Sequence, residues 1–295
     1  MPATTISSRI SIKNILFPTD FSEAAAGALP YVRALARWYD AKVVIAHSAP
    51  AVRALALPLQ PVPQEMDLEW ESAQSKMKEF IHTNPLPGLH AEAVVCRGEM
   101  GNSVTDVVGR YRIDLVVVGT RGREGMRKVM LGSGAERIFR RAGCPVLTVG
   151  PNVKRTEAEF ESWKNILFAT DFSEGSLGAL PYALSIAEEN QAQLTLTHML
   201  SLMPIERQSS GGEATRQRLR SLLPADAADW CTAECVVGFE FPADGILRIA
   251  DERCADVIVM GVHKSNVPRA SSHLPWAIAY EVVCHAKCPV LTVRG

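Results

Sequence analysis

Short apolar runs rich in β-branched residues alternate with longer stretches of helical period along the whole chain. In the first 150 residues the runs fall at Ile12 to Phe17, Lys42 to His47, Ala91 to Cys96, Asp114 to Val118 and Val146 to Val149, and each reads as a buried strand. Between them, helical spacing predicts helices from Ser22 to Tyr39, Asp67 to His82, Ser103 to Tyr111 and Ser133 to Arg141; Leu68, Met77, Phe80 and Ile81 are among the apolar positions of the second. Ser22 is placed to cap the first helix. Pro30 sits inside it, where a lost hydrogen bond and a ring clash cost about 3 kcal/mol, and predicts a bend. Pro50 to Gln64, rich in proline and alanine, reads as a long loop. Strands alternating with helices imply a parallel sheet covered by helices on both faces.

The same order then repeats. Strands are expected at Asn165 to Phe168, Gln193 to His198, Thr232 to Val237, Asp256 to Met260 and Val290 to Val293, with helices from Ser173 to Asn190, Ala214 to Leu223, Ala243 to Arg253 and Trp276 to Cys284. The wording repeats too. Lys13-Asn-Ile-Leu-Phe-Pro-Thr-Asp-Phe-Ser-Glu23 returns as Lys164-Asn-Ile-Leu-Phe-Ala-Thr-Asp-Phe-Ser-Glu174, Gly27-Ala-Leu-Pro-Tyr31 as Gly178-Ala-Leu-Pro-Tyr182, and Cys144-Pro-Val-Leu-Thr-Val149 as Cys288-Pro-Val-Leu-Thr-Val293. A period of about 150 residues marks a tandem domain and is too long for a solenoid. The expected division is 1–150, a linker at 151–163 whose charged and aromatic residues suit a short helix, and 164–295.

Bulk properties narrow the classes. The 295 residues carry a net charge of -1, so no global positive field argues for nucleic acid. No stretch approaches the roughly 18 apolar residues of a membrane span, and the first residues lack a signal-peptide core, so the cytoplasm is the expected compartment. The seven cysteines are an odd number, which argues against a disulfide framework.

Candidate chemistry gathers at Gly119 to Ser133, between the fourth strand and the helix that follows. In an open parallel sheet, ligands bind at the carboxyl ends of the strands beside the reversal in strand order. Gly119 and Gly122 remove Cβ atoms that would keep a ligand off the backbone, and Gly132-Ser133 opens the helix with free N–H groups and the positive end of its dipole. Arg121, Arg123, Arg127 and Lys128 could screen phosphate charge or be a solvated basic loop. The stretch is not a Walker A loop, because no Gly-Lys-Ser/Thr follows, and it lacks the dinucleotide fingerprint. Asp20 closes the first strand, where it could accept from ribose hydroxyls or a base amine, or could simply turn the chain into Ser22.

Two glycines separated by two residues, then nine residues, then Gly-Ser, resemble the loop of the nucleotide-binding branch of the universal stress protein family. The whole chain resembles two such domains in tandem. The resemblance implies two doubly wound α/β domains of adenine nucleotide alpha-hydrolase type, each with a five-stranded parallel sheet and helices on both faces, joined as an internal pseudo-dimer through their terminal strands. It implies ATP or a related adenine nucleotide, with or without magnesium, held in the first domain by Pro18, Thr19, Asp20 and Ser48 around adenine and ribose and by Gly119, Gly122, Gly132 and Ser133 at the phosphates. Ser48 stands where an aliphatic residue is common, so its contact would rest on backbone atoms. Activity would then follow from nucleotide-dependent conformation, self-association or a protein partner; a slow ATP hydrolase and a ligand-free interaction protein are the alternatives.

The second half departs from that pattern. Lys264 replaces the second glycine, and the Gly-Ser position falls on Leu274-Pro275 counted forward or Trp276-Ala277 counted back from Cys288. The second domain is therefore expected to lack the phosphate cradle although Asp171 keeps its place. Cys284-His285-x-x-Cys288, with His263 or His273 nearby, could suggest zinc, but Cys288 matches Cys144, which has no such neighbours, and a packing role is expected. His47 and His198 close the second strands and are expected to pack and hydrogen-bond rather than to act as bases.

Overall fold

The computed structural model describes residues 10–49, 63–98, 100–120, 131–154, 162–200, 205–262 and 273–295. The chain divides into two compact units, one built on Ser11–Pro151 and the other mainly on Glu161–Gly295. The first contains β1 (Asn14–Pro18), α1 (Glu23–Ala26), α2 (Leu29–Trp38), β2 (Lys42–Ala49), α3 (Pro63–Thr83), β3 (Ala91–Arg97), α4 (Met100–Tyr111), β4 (Leu115–Gly119), α5 (Ser133–Arg141) and β5 (Val146–Val149). The second contains β6 (Asn165–Ala169), α6 (Glu174–Leu177), α7 (Leu180–Asn190), β7 (Gln193–Met199), α8 (Ile205–Arg220), α9 (Ala227–Trp230), β8 (Thr232–Gly238), α10 (Pro242–Glu252), β9 (Val257–Val262), α11 (His273–His285) and β10 (Val290–Arg294). Among the described residues no helix is long and apolar enough to cross a membrane.

All strands within the first unit pair in parallel, in the order β3-β2-β1-β4-β5. Those of the second follow the same plan, with β6 between β7 and β9. Strand order reverses between β1 and β4, so the carboxyl ends of β1, β2 and β4 share one edge. Both faces of the sheet are covered. Leu16 joins Val44 and Val116 in a cluster with Val104 and Val107 of α4 and Ile138 of α5, while Phe17, pointing the other way, lies 6.3 Å from Phe80 of α3. Burial on both sides is why β1 and β4 are continuous apolar runs rather than alternating ones. At the opposite end of the sheet, Asp114 accepts from the N–H groups of Lys13 and Asn14. Asp256 does the same for Lys164 and Asn165.

Several boundaries differ from expectation. The helix expected to bend at Pro30 is instead broken, into α1 and α2, with Gly27 and Ala28 in right-handed helical conformation between them. That places Pro30 in the first turn of α2, where a missing N–H costs nothing. Pro181 does the same for α6 and α7. Helix α3 begins at Pro63, four residues before the expected start, a position that also suits a proline. Its Met77 and Phe80 are buried, but Leu68 is 65% exposed. Helix α8 starts nine residues early, and α9 was not foreseen. The linker expected at 151–163 and the loop at Pro50 to Gln64 lie largely outside the described residues.

Candidate functional site

At the mouth of β1 the chain makes a tight, hydrogen-bonded turn. Thr19 is buried; its N–H donates to the Ala46 carbonyl at 2.8 Å, and its hydroxyl accepts from Phe21 N–H at 3.0 Å. Asp20 is exposed, and its Oδ1 accepts from Ser22 N–H at 3.0 Å and from Ser22 Oγ at 2.5 Å, while Ser22 Oγ caps α1 at Ala25 N–H. Asp20 therefore both turns the chain and presents a fixed carboxylate at the edge where a ligand would lie. Between them Phe21 has φ of 63°, a left-handed conformation costing roughly 1–2 kcal/mol for a residue with a Cβ. Its ring lies 4.1 Å from that of His47 and 5.6 Å from Phe80. Sequence reading missed this strained aromatic, although Phe-Ser after the aspartate recurs in both halves.

His47 donates through Nδ1 to the Thr19 carbonyl at 2.8 Å. Burial lowers its pKa below 6.5, against the opposing effects of that hydrogen bond and of the Asp20 charge. With the folded value depressed, the unfolded chain holds more protons at intermediate pH. The contribution to stability is complete above about pH 6.5 and is lost as pH falls through the folded value. Urea unfolding of a His47→Gln variant should accordingly show a flatter decline of stability on the acid side than the parent; an unchanged slope would rule out this histidine as the source.

Ser48, the next residue, donates its hydroxyl to the Gly98 carbonyl. Its side chain is thereby occupied, which leaves backbone atoms for any ligand contact. Pro18 is the last residue of β1 and is buried.

The two ends of the glycine loop differ. Gly119 ends β4, and a Cβ built on it would stand 2.2 Å from the Ala24 carbonyl oxygen and 3.1 Å from Ala25 Cα. The missing side chain is therefore required by α1 seated on the strand tip, a packing role that sequence reading gave to ligand approach. Thr120 and Leu131, flanking the remainder of the loop, are both buried. Gly122 and the basic residues Arg121, Arg123, Arg127 and Lys128 lie outside the described residues.

Gly132 is the N-cap of α5, with φ of -59° and ψ of 148°, values open to any residue. Among the described residues a Cβ there would meet nothing within 4 Å. No side chain caps the helix, and its first backbone bond is Glu136 N–H to the Gly132 carbonyl at 2.9 Å. The N–H groups of Ser133, Gly134 and Ala135 thus have no acceptor within the helix. Glu136, an anion in the first turn, is paired with Arg140 at 3.0 Å.

The second unit repeats the turn but not the helix start. Asp171 accepts from Ser173 N–H at 3.0 Å and from its hydroxyl, Phe172 has φ of 61°, and His198 Nδ1 donates to the Thr170 carbonyl at 2.8 Å. Phe172 carries the Arg218 guanidinium 4.0 Å above its ring. Gly261 is again demanded by packing, since a Cβ would stand 2.2 Å from the Gly175 carbonyl oxygen. Helix α11, however, begins at His273. Aligned on Cys144 and Cys288, the positions of Gly132, Ser133 and Gly134 fall on Trp276, Ala277 and Ile278, at the end of the first turn and beyond it. The N–H groups of Ala277 and Ile278 then bond within the helix and are not available to phosphate. The cysteines at this end pack: Cys284 and Cys288 are buried, and burial pushes the Cys288 thiol up to about 12. His285 donates through Nδ1 to the Glu281 carbonyl of its own helix at 2.9 Å.

Comparison with known proteins agrees with this architecture. The model of the universal stress protein family matches residues 11–150 and 162–294. A universal stress protein of Methanocaldococcus jannaschii is 29% identical over 46% of this chain and 81% of its own length. Universal stress protein A homolog 1 of Coxiella burnetii is 34% identical over 37% of this chain and 74% of its own. Among solved structures, a universal stress protein from Archaeoglobus fulgidus superposes with a TM-score of 0.72 at 18% identity, covering 95% of this chain and 98% of the other.

Proposed function

The chain belongs to the universal stress protein family, and on that premise we propose that its first unit binds an adenine nucleotide, ATP or a close relative, and that binding governs what the protein contacts. The observation carrying this reading is Gly132. Neither its backbone angles nor its neighbours among the described residues require a glycine, yet a side chain there would project beside the N–H groups that open α5 without an acceptor in the helix. A polyphosphate is the ligand that such a position suits, because unpaired N–H groups and the helix dipole favour an anion. Asp20, fixed by Ser22 at the end of β1, would accept from ribose hydroxyls or the base amine. Magnesium would enter with the phosphates: among the described residues no group of three or more His, Cys, Asp or Glu is set to hold a metal.

Protein denatured directly after purification should release an adenine nucleotide identifiable by mass spectrometry. Calorimetry on protein stripped of ligand should give one ATP site per chain. Two equivalent sites would contradict the assignment to the first unit, and no uptake at all would contradict the proposal.

A further inference from the structure

The second unit has a cavity of ≈ 100 Å³ at the carboxyl ends of β6, β7 and β9. Its position corresponds to the proposed nucleotide site of the first unit, but its walls are chemically different. At matched positions, Ser48 gives way to Met199, Val118 to Met260 and Gly134 to Ile278, and all three replacements line the cavity. Met199 is seated by two missing side chains, because a Cβ on Gly238 or Gly245 would stand 2.4 or 2.3 Å from its sulfur.

The polar groups of the lining are largely turned on one another. Thr170 Oγ1 is 2.8 Å from Ser176 Oγ and accepts from Phe172 N–H at 2.9 Å, and its carbonyl takes the His198 Nδ1 bond. Thr197 donates to the Val236 carbonyl at 3.0 Å. Among the described residues of the lining, hydrocarbon and sulfur remain as the contact surface. The helix that follows β9 has its N–H groups at this level bonded internally. Each of these features disfavours an anion.

We propose that this cavity is a second, distinct binding site for a small uncharged molecule with an apolar body about one ring in size and its polar end turned outward. An engineered apolar cavity of about 150 Å³ encloses benzene; this one, at ≈ 100 Å³, takes the apolar part of a ring and leaves its polar end outward. This inference concerns the second unit alone and does not depend on nucleotide binding by the first.

The test uses the full chain carrying 13C-methyl methionine, with the Met199 and Met260 signals assigned from Met199→Leu and Met260→Leu variants. Phenol is the probe, and benzoate is the matched anion of the same ring. Phenol should shift both methyl signals with one saturating curve at one equivalent per chain, and benzoate at equal concentration should shift neither. Ile278→Trp, which fills the cavity, should weaken phenol binding at least tenfold, and Ala169→Leu should do so from the opposite wall if the first variant folds poorly. Shifts that never saturate, that survive a folded cavity-filling variant, or that benzoate reproduces would overturn the proposal. ATP calorimetry on the same samples reports the first unit separately, so either site can fail without the other.

Discussion

Replacing Gly119 by alanine should destabilise the first unit by about 3 kcal/mol or more, and Gly261→Ala should do the same to the second. Overpacking a core typically costs about 1–3 kcal/mol, because flexible side chains can give way. Here the obstacle is backbone: the Ala24 carbonyl in one unit and the Gly175 carbonyl and Ser176 Cα in the other, at 2.2, 2.2 and 2.4 Å from the added carbon. Neither α1 nor α6 can retreat cheaply. Each is a single turn pinned by a serine cap, Ser22 to Ala25 N–H and Ser173 to Ser176 N–H, and by a backbone ladder that continues into the next helix. Urea unfolding followed by circular dichroism would measure the loss. A change below about 0.5 kcal/mol in either variant would mean that the helix shifts freely, and the packing role assigned to these glycines would be wrong.

That packing role explains what the sequence could and could not disclose. The strands were legible because β1, β4 and their counterparts are buried on both faces and must be apolar throughout. The duplication was legible because the turn at Pro18 to Ser22 needs the same hydroxyls and carboxylate in each copy, down to the left-handed Phe21 and Phe172. The glycine motif was legible as a pattern but not as a division of labour. Gly119 and Gly261 survive in both copies because α1 and α6 press on the strand tips, whereas the Gly-Ser that opens α5 has no counterpart at the start of α11. Helix starts were the least legible. A proline in a helical pattern signals a bend, a break or a first turn equally well, and Pro30 and Pro181 each proved to lie in a first turn. The apolar cavity of the second unit was not legible either. It arises from Met199, Met260 and Ile278, which meet only in three dimensions.

Gly132→Asp should lower ATP affinity at least ~100-fold while leaving the protein as stable as the parent or slightly more so. The two effects have opposite signs because the same position serves helix and ligand differently. For the helix, aspartate is a better N-cap than glycine by a few tenths of a kcal/mol, and its charge complements the dipole. The backbone angles at Gly132 accept it, and no described residue occupies the space for its side chain. For a bound polyphosphate, the carboxylate takes the N–H groups the phosphate needs and adds a like charge beside it. Two unit charges 4 Å apart interact by about 4 kcal/mol at an effective dielectric constant of 20, and about 2.8 kcal/mol is already a hundredfold loss. Calorimetric titration with ATP and urea unfolding of the same variant would measure both quantities. A stable Gly132→Asp protein that still binds ATP within a few-fold of the parent would place the phosphates elsewhere, because no anion could share that helix start with a second one without a large loss.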